Sequence, residues 1–237
     1  MESFAPDYTN IVDAAFNRPA KRLPLYEHAI SGKVIGAITG ERFFETVYSE
    51  DASYADKVEA FRKYCNFCAT YGFDAVPFEY CAAAYVQQGQ GLMGHAAPII
   101  HSVDDVHAFD WDGLVADFIA GTDETFSALA AALPPGMKAV GGIGNGVFEL
   151  VEDFVTYTGL CLLQYDDPEA FALIWQKTGD ALAAIWRWFM EKHVAAFAVC
   201  RFGDDPGFQS ATLIAPEDLR PHVMQQNKRI APTVHAY

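Results

Sequence analysis

Asp167–Phe202, DPEAFALIWQKTGDALAAIWRWFMEKHVAAFAVCRF, is the stretch whose reading decides the fold. Asp167 is placed to cap a helix, and Pro168 fits its first position, where a backbone N–H is not needed. Phe171, Ile174, Trp175, Leu182, Ile185 and Phe189 then line one face as far as Lys192. The apolar run Val194–Phe202 follows at once and reads as a strand buried on both sides. A long helix feeding such a strand is half of a crossover, and crossovers join parallel strands.

The alternation extends along the chain in both directions. A brief helix around Ile11–Phe16 precedes the apolar stretch Arg22–His28 (RLPLYEH), the first strand candidate. Val58, Phe61, Tyr64, Cys65 and Cys68 recur at helical spacing within about Tyr54–Tyr71, and Gly72 stops that helix. Phe73–Tyr80 (FDAVPFEY) reads as the next strand, with Pro77 counting against its far end. Cys81–His101 is Gly- and Ala-rich and reads as a loop, after which Ser102 caps a short helix with Asp104 and Asp105 in its first turn. A helix over Gly113–Leu133, interrupted near Gly121, leads to a strand at Lys138–Ile143 and a helix at Asn145–Thr158. Pro216 opens a last helical region that runs to the end, with Pro221 as a restart or kink. By pattern alone, an open parallel sheet and a closed barrel both remain available.

Composition narrows the function. The 237 residues are 51% apolar and 20% charged, which supports a packed core rather than disorder. Lys and Arg number 16 against 31 Asp and Glu, a net charge of −15 without any basic run, which argues against nucleic acid as a partner. No apolar stretch reaches the ~20 residues of a membrane span. MESFAPDYTN has neither a basic nor an apolar leader region, and five cysteines are thinly spread and odd in number, so the expectation is a soluble cytoplasmic protein.

Short motifs add little. Gly89–Gly94 (GQGLMG) matches G-x-G-x-x-G, but His95-Ala96-Ala97-Pro98 is a poor helix start, so a loop is the better reading than a nucleotide site. Gly141–Gly146 (GGIGNG) lies between strand and helix, where its glycines permit a tight turn or its amides receive an anion. Cys65 and Cys68 fall on the apolar face of a helix with no second pair at ligand spacing, and read as buried small side chains. His101 and His107 read as surface residues.

The strand ends matter more, because ligands of parallel α/β folds gather at the carboxyl ends of strands. Those ends bring forward Glu27 and His28, then Glu79, Tyr80 and Cys81, then Asn145, then Asp204 and Asp205. Asp204-Asp205 can transfer a proton, bind a polar substrate edge, or simply cap the next helix. A lone carboxylate such as Glu79 at the end of an apolar strand is costly unless it has a partner or faces a cleft.

RLPLYEH, FDAVPFE, GNGVFELVEDF and, most specifically, FGDDPGFQSATLIAPEDLRPHVMQQNKRI together resemble the uroporphyrinogen decarboxylase superfamily. The resemblance runs from about Phe16 to the end. It implies a (β/α)8 TIM-barrel fold over a single domain, 1–237, of which only the first four to five β/α units are present. It also implies one of two chemistries: decarboxylation of porphyrinogen acetates, a lyase reaction of porphyrin biosynthesis, or corrinoid-dependent methyl transfer to a thiol or similar acceptor, usually zinc-assisted.

Departures from the family favour the methyltransferase branch. Where the decarboxylases carry R-Q-A-G-R after the first strand, this chain has His28-Ala29-Ile30-Ser31-Gly32, and Ala29 cannot make a bidentate carboxylate pair. Glu79 stands nearest to the family's second-strand aspartate, and Asp153 replaces a tyrosine. Strand-end position, together with the resemblance, puts forward Glu79, Asp204 and Asp205 as catalytic, and Glu27, His28, Tyr80, Asn145 and Asp153 as substrate- or cofactor-binding. It implies methylcobalamin and zinc for the complete protein, a small-molecule substrate, and a corrinoid protein as partner. The branch's zinc ligands belong to strands expected after Tyr237, so no metal residue is assigned here. True decarboxylation is the alternative; an inactive fragment that associates with another chain, or with itself, is a third reading.

Overall fold

The computed structural model describes residues 4–86 and 97–237. The chain divides into two compact units: Met1–Glu79 with Gly121–Gly142 and Lys192–Arg201, and Tyr80–Ala120 with Ile143–Glu191 and Phe202–Tyr237.

The first unit is built on a small sheet. Strands β1 (Ala75–Cys81), β2 (Lys138–Gly144) and β3 (Phe197–Cys200) lie in the order β1-β2-β3. β2 and β3 run parallel, with Ala139 opposite Phe197 and Gly141 opposite Cys200, and the register slips between Ala139 and Val140. Pro77 is tolerated because β1 is an edge of this sheet, where a missing donor leaves no central ladder broken.

Successive side chains of β1 point to opposite faces. Phe78 packs on Phe61 of α4 (Tyr54–Thr70) and Phe126 of α6 (Trp111–Ala132), with ring centroids 4.9 and 5.9 Å apart. Ala75 meets Val140, Ala198, Val199 and Ile11, the last from α1 (Thr9–Ala15). A reciprocal capping box of Ser53 and Asp56 starts α4. Two short helices, α2 (Gly32–Thr39) and α3 (Phe43–Val47), precede it.

The second unit is helical. It contains α5 (Val103–Ala108), α7 (Val147–Asp166), α8 (Pro168–Lys192 but for its last residue), α9 (Pro216–Leu219) and α10 (Gln225–His235). Asp167 starts α8 as its position predicts, accepting from the Ala170 N–H at 3.0 Å, and its other oxygen takes the Val103 N–H at 2.8 Å. Trp175 stacks beside Phe148 in the core of this unit. α7 is broken at Thr156, whose φ of 61° and ψ of 162° lie outside the helical region. There the Thr156 hydroxyl caps the following turn through the Gly159 N–H, and the Phe154 carbonyl instead accepts from Ile99 at 2.9 Å. A widened turn, Arg220–Met224, joins α9 to α10 around Pro221, which has no N–H to offer a helix.

These observations correct the expected fold. The described residues form an α/β structure with a small three-stranded sheet, neither a closed (β/α)8 TIM barrel nor a recognisable URO-D-like part of one. Arg22–His28, expected to be the first strand, pairs with nothing in a ladder, and Leu23 is 87% exposed. Its one strong anchor is Arg22, bound to the buried Asp74 carboxylate. β3 is also shorter than its apolar run, because Val194–Ala196 winds into a helical turn first. Only part of it is buried, so it is not covered on both faces. α6 continues through Gly121 without the expected interruption. Among the described residues no helix is long and apolar enough to cross a membrane.

Candidate functional site

In the first unit the candidate site centres on Glu79. Alternation along β1 turns this side chain away from Phe78 and its aromatic neighbours. Its Oε2 accepts from Arg201 Nη1 at 3.0 Å, and its Oε1 lies 3.5 Å from His28 Nε2. Arg201 follows directly on β3, and its own N–H donates to the Gly141 carbonyl at 2.8 Å, which anchors it beside β2. Tyr48 donates from its hydroxyl to the Glu79 carbonyl at 3.4 Å.

Gly141 makes this arrangement possible. Its φ is +135°, and a Cβ there would run into the Phe78 carbonyl. The group remains open to solvent: the Glu79, Arg201 and His28 side chains are 20%, 34% and 41% exposed. Tyr26 stands nearby with its phenol pushed above the usual range by burial. Glu27 is exposed. A carboxylate fixed by a guanidinium, with an imidazole at its other oxygen, can orient a polar ligand and hand a proton along.

In the second unit the candidate site lies at the head of α7. Asn145 turns the chain out of β2 with φ 68°. Its side chain accepts from Ala83 N–H and donates to Glu149 Oε2, each at 3.0 Å. Asp204 accepts the Phe148 and Glu149 N–H groups, both at 3.1 Å, and so satisfies two otherwise orphaned donors of the helix. A Cβ on residue 146 would overlap the Asp204 side chain, which explains the glycine. Burial nevertheless pushes the Asp204 carboxyl up to about 6, against the lowering effect of those two amides.

Glu152, one turn further along α7, is 2% exposed and its Oε2 has no hydrogen-bond partner. Burial pushes its carboxyl up to about 8, reinforced by the negative charges of Asp153, Asp204, Glu149 and Asp205. A carboxyl tuned so close to neutrality can give or take a proton under physiological conditions.

The sequence-predicted residues therefore sort into groups. Glu79 and His28 come together, and Asn145 and Asp204 share the head of α7. Asp205 is exposed, so it does not join Asp204 in capping, and the helix that Asp204 caps precedes it in the chain. Asp153 is buried, and Tyr80 sits among the rings of Tyr85 and Phe118. Sequence reasoning missed Arg201, Glu149 and Glu152. A cation directly after an apolar strand was a usable signal for the first, whereas acids on a helix read as solvent-facing.

Gly89–Gly94 lies outside the described residues. Cys65 and Cys68 are buried in α4, and burial pushes the Cys65 thiol up to about 12. His101 and His107 are exposed. No group of three His, Cys, Asp or Glu side chains able to hold a metal occurs among the described residues. Compared with known proteins, the chain matches no family model, no curated protein and no solved structure.

Proposed function

We propose that the chain serves corrinoid-dependent methyl transfer as a relative of the uroporphyrinogen decarboxylase superfamily, orienting a small substrate rather than gripping a polycarboxylate. One observation carries this choice: Arg201 is already engaged by Glu79. The cations of the two groups described above are Arg201 and His28, and both face the same carboxylate. A substrate with many carboxylates needs arginines that are not committed elsewhere. The group at the head of α7, taken by itself, offers carboxyls and no arginine.

Glu79, held by Arg201 and His28, accepts a hydrogen bond from the substrate and fixes its orientation. In the second unit the Glu152 carboxyl, pushed up to about 8, keeps its proton at neutral pH, whereas Asp204, at about 6, is largely ionised and caps α7. A corrinoid, when bound, supplies or takes the methyl group. Zinc does not fit the described residues, which lack a donor set for it, and no step is assigned to a metal.

Titration of the chain with methylcobalamin, followed by visible absorbance, and separately with uroporphyrinogen tests the reading. Saturable binding of methylcobalamin and none of uroporphyrinogen is expected. The reverse preference, or silence towards both, overturns it.

A further inference from the structure

The first unit holds a groove of about 860 Å3 between α4 and the α2–α3 segment, apart from the groups around Glu79. That volume falls within the roughly 300–1,000 Å3 of small-molecule sites. Phe43, Tyr64, Phe67 and Tyr71 lie along it as a continuous run of rings. Phe43 and Tyr64 stack with centroids 4.3 Å apart, Tyr64 and Phe67 are nearly parallel at 6.4 Å, and Phe67 meets Tyr71 at 4.9 Å. Tyr71 is 48% exposed, and Ile38 adds a half-exposed aliphatic edge, so apolar surface is left facing the groove.

The charged lining is unbalanced. Glu41, Glu45, Asp51, Asp56 and Glu59 stand against Arg42 and Lys63. Lys63 is bound to Glu41 at 2.9 Å, and Arg42 lies 3.8 Å from Glu45. The negative excess therefore falls on Asp51, Asp56 and Glu59, the last shared with Arg62 at 3.7 Å. Aromatic faces and carboxylates both attract a cation, and the rings also take up an apolar body. A second copy of a chain carrying −15 is a poor occupant for an acidic rim.

We infer that this groove binds an amphipathic organic cation of the arylalkylammonium class, with its ring against Tyr71 and Ile38 and its ammonium among the carboxylates. The inference is independent of the methyl-transfer reading. Calorimetric titration of the full chain at low salt with 2-phenylethylamine, 2-phenylethanol and 3-phenylpropanoate tests it.

The amine is expected to bind at least about tenfold tighter than the acid, and to weaken as salt is raised. Tyr71→Ala and the double variant Asp51→Asn/Glu59→Gln change exposed side chains, and each is expected to weaken the amine several-fold. Equal binding of the three probes overturns the inference. So does amine binding that ignores both variants, or stronger binding of an amphipathic Lys/Leu peptide than of the amine.

Discussion

Glu79 within β1 and Arg201, directly after β3, meet across β2, with Nη1 3.0 Å from Oε2. The pair ties the two outer strands together beside Gly141, the middle residue of β2. Because both side chains are partly exposed, water screens the attraction, and its stabilising effect is modest.

A double-mutant cycle with Glu79→Gln and Arg201→Met is expected to give a coupling of about 1 kcal/mol from urea midpoints. A coupling indistinguishable from zero would show that the two groups do not hold the strands.

Gly146 and Asp204 should be strongly non-additive. Gly146→Ala places a methyl group where the Asp204 side chain lies, so a loss of about 2 kcal/mol is expected. In an Asp204→Gly background, which removes the obstructing atoms, the same change is expected to lose less than about 0.5 kcal/mol. Chemical denaturation of the four proteins checks this.

Glu152 should make stability fall with rising pH. Its folded carboxyl titrates at about 8, above the ordinary value of 4.5, so the unfolded chain releases a proton that the folded chain keeps. The stabilisation is complete below the ordinary carboxylate range and is lost as pH rises to about 8. Urea midpoints are expected to decline from pH 6.5 to 8.5, a window above the lowered titrations of the buried His193 and the half-buried His222. Glu152→Gln is expected to flatten that decline.

Asp167 links α8 to the start of α5 with one carboxylate. Asp167→Ala is expected to lose about 1.5 kcal/mol, and Asp167→Asn, which keeps an acceptor, less than about 0.5 kcal/mol. Thermal unfolding distinguishes the two.

Much of the helical frame was legible in the sequence. Asp167 and Pro168 mark a start in plain chemical terms, and the apolar spacing through Phe189 carries α8 to its end. Val58 to Cys68 did the same for α4, and the short strand β2 fell where it was expected.

Strand partners were not legible. An apolar run such as Arg22–His28 indicates an extended segment, but ladder pairing depends on residues far away in the chain. The salt bridge of Arg22 to Asp74 has the same origin. Gly121 misled for another reason. A glycine inside a helix is unfavourable by only about 1 kcal/mol, and burial of Phe118, Thr122, Thr125 and Phe126 around it outweighs that.

The candidate site divides along the same line. Glu79, Asn145 and Asp204 were put forward from their places in or after strands that do form, whereas His28 was put forward from a strand that does not, although it lies beside Glu79. Arg201 and Glu152 were missed because their roles depend on what surrounds them. Nothing in VFELVEDF says which of its acids turns inward.

The break at Thr156 leaves α7 as two consecutive segments rather than one rod. Backbone amides before it are backed by the fully buried Val147, Leu150, Val151 and Phe154, whereas those after it share a segment with the exposed Leu162 and Tyr165. Deuterium uptake should therefore step up sharply across this residue, with the amino-terminal segment, which bears Glu152, the slower of the two to exchange.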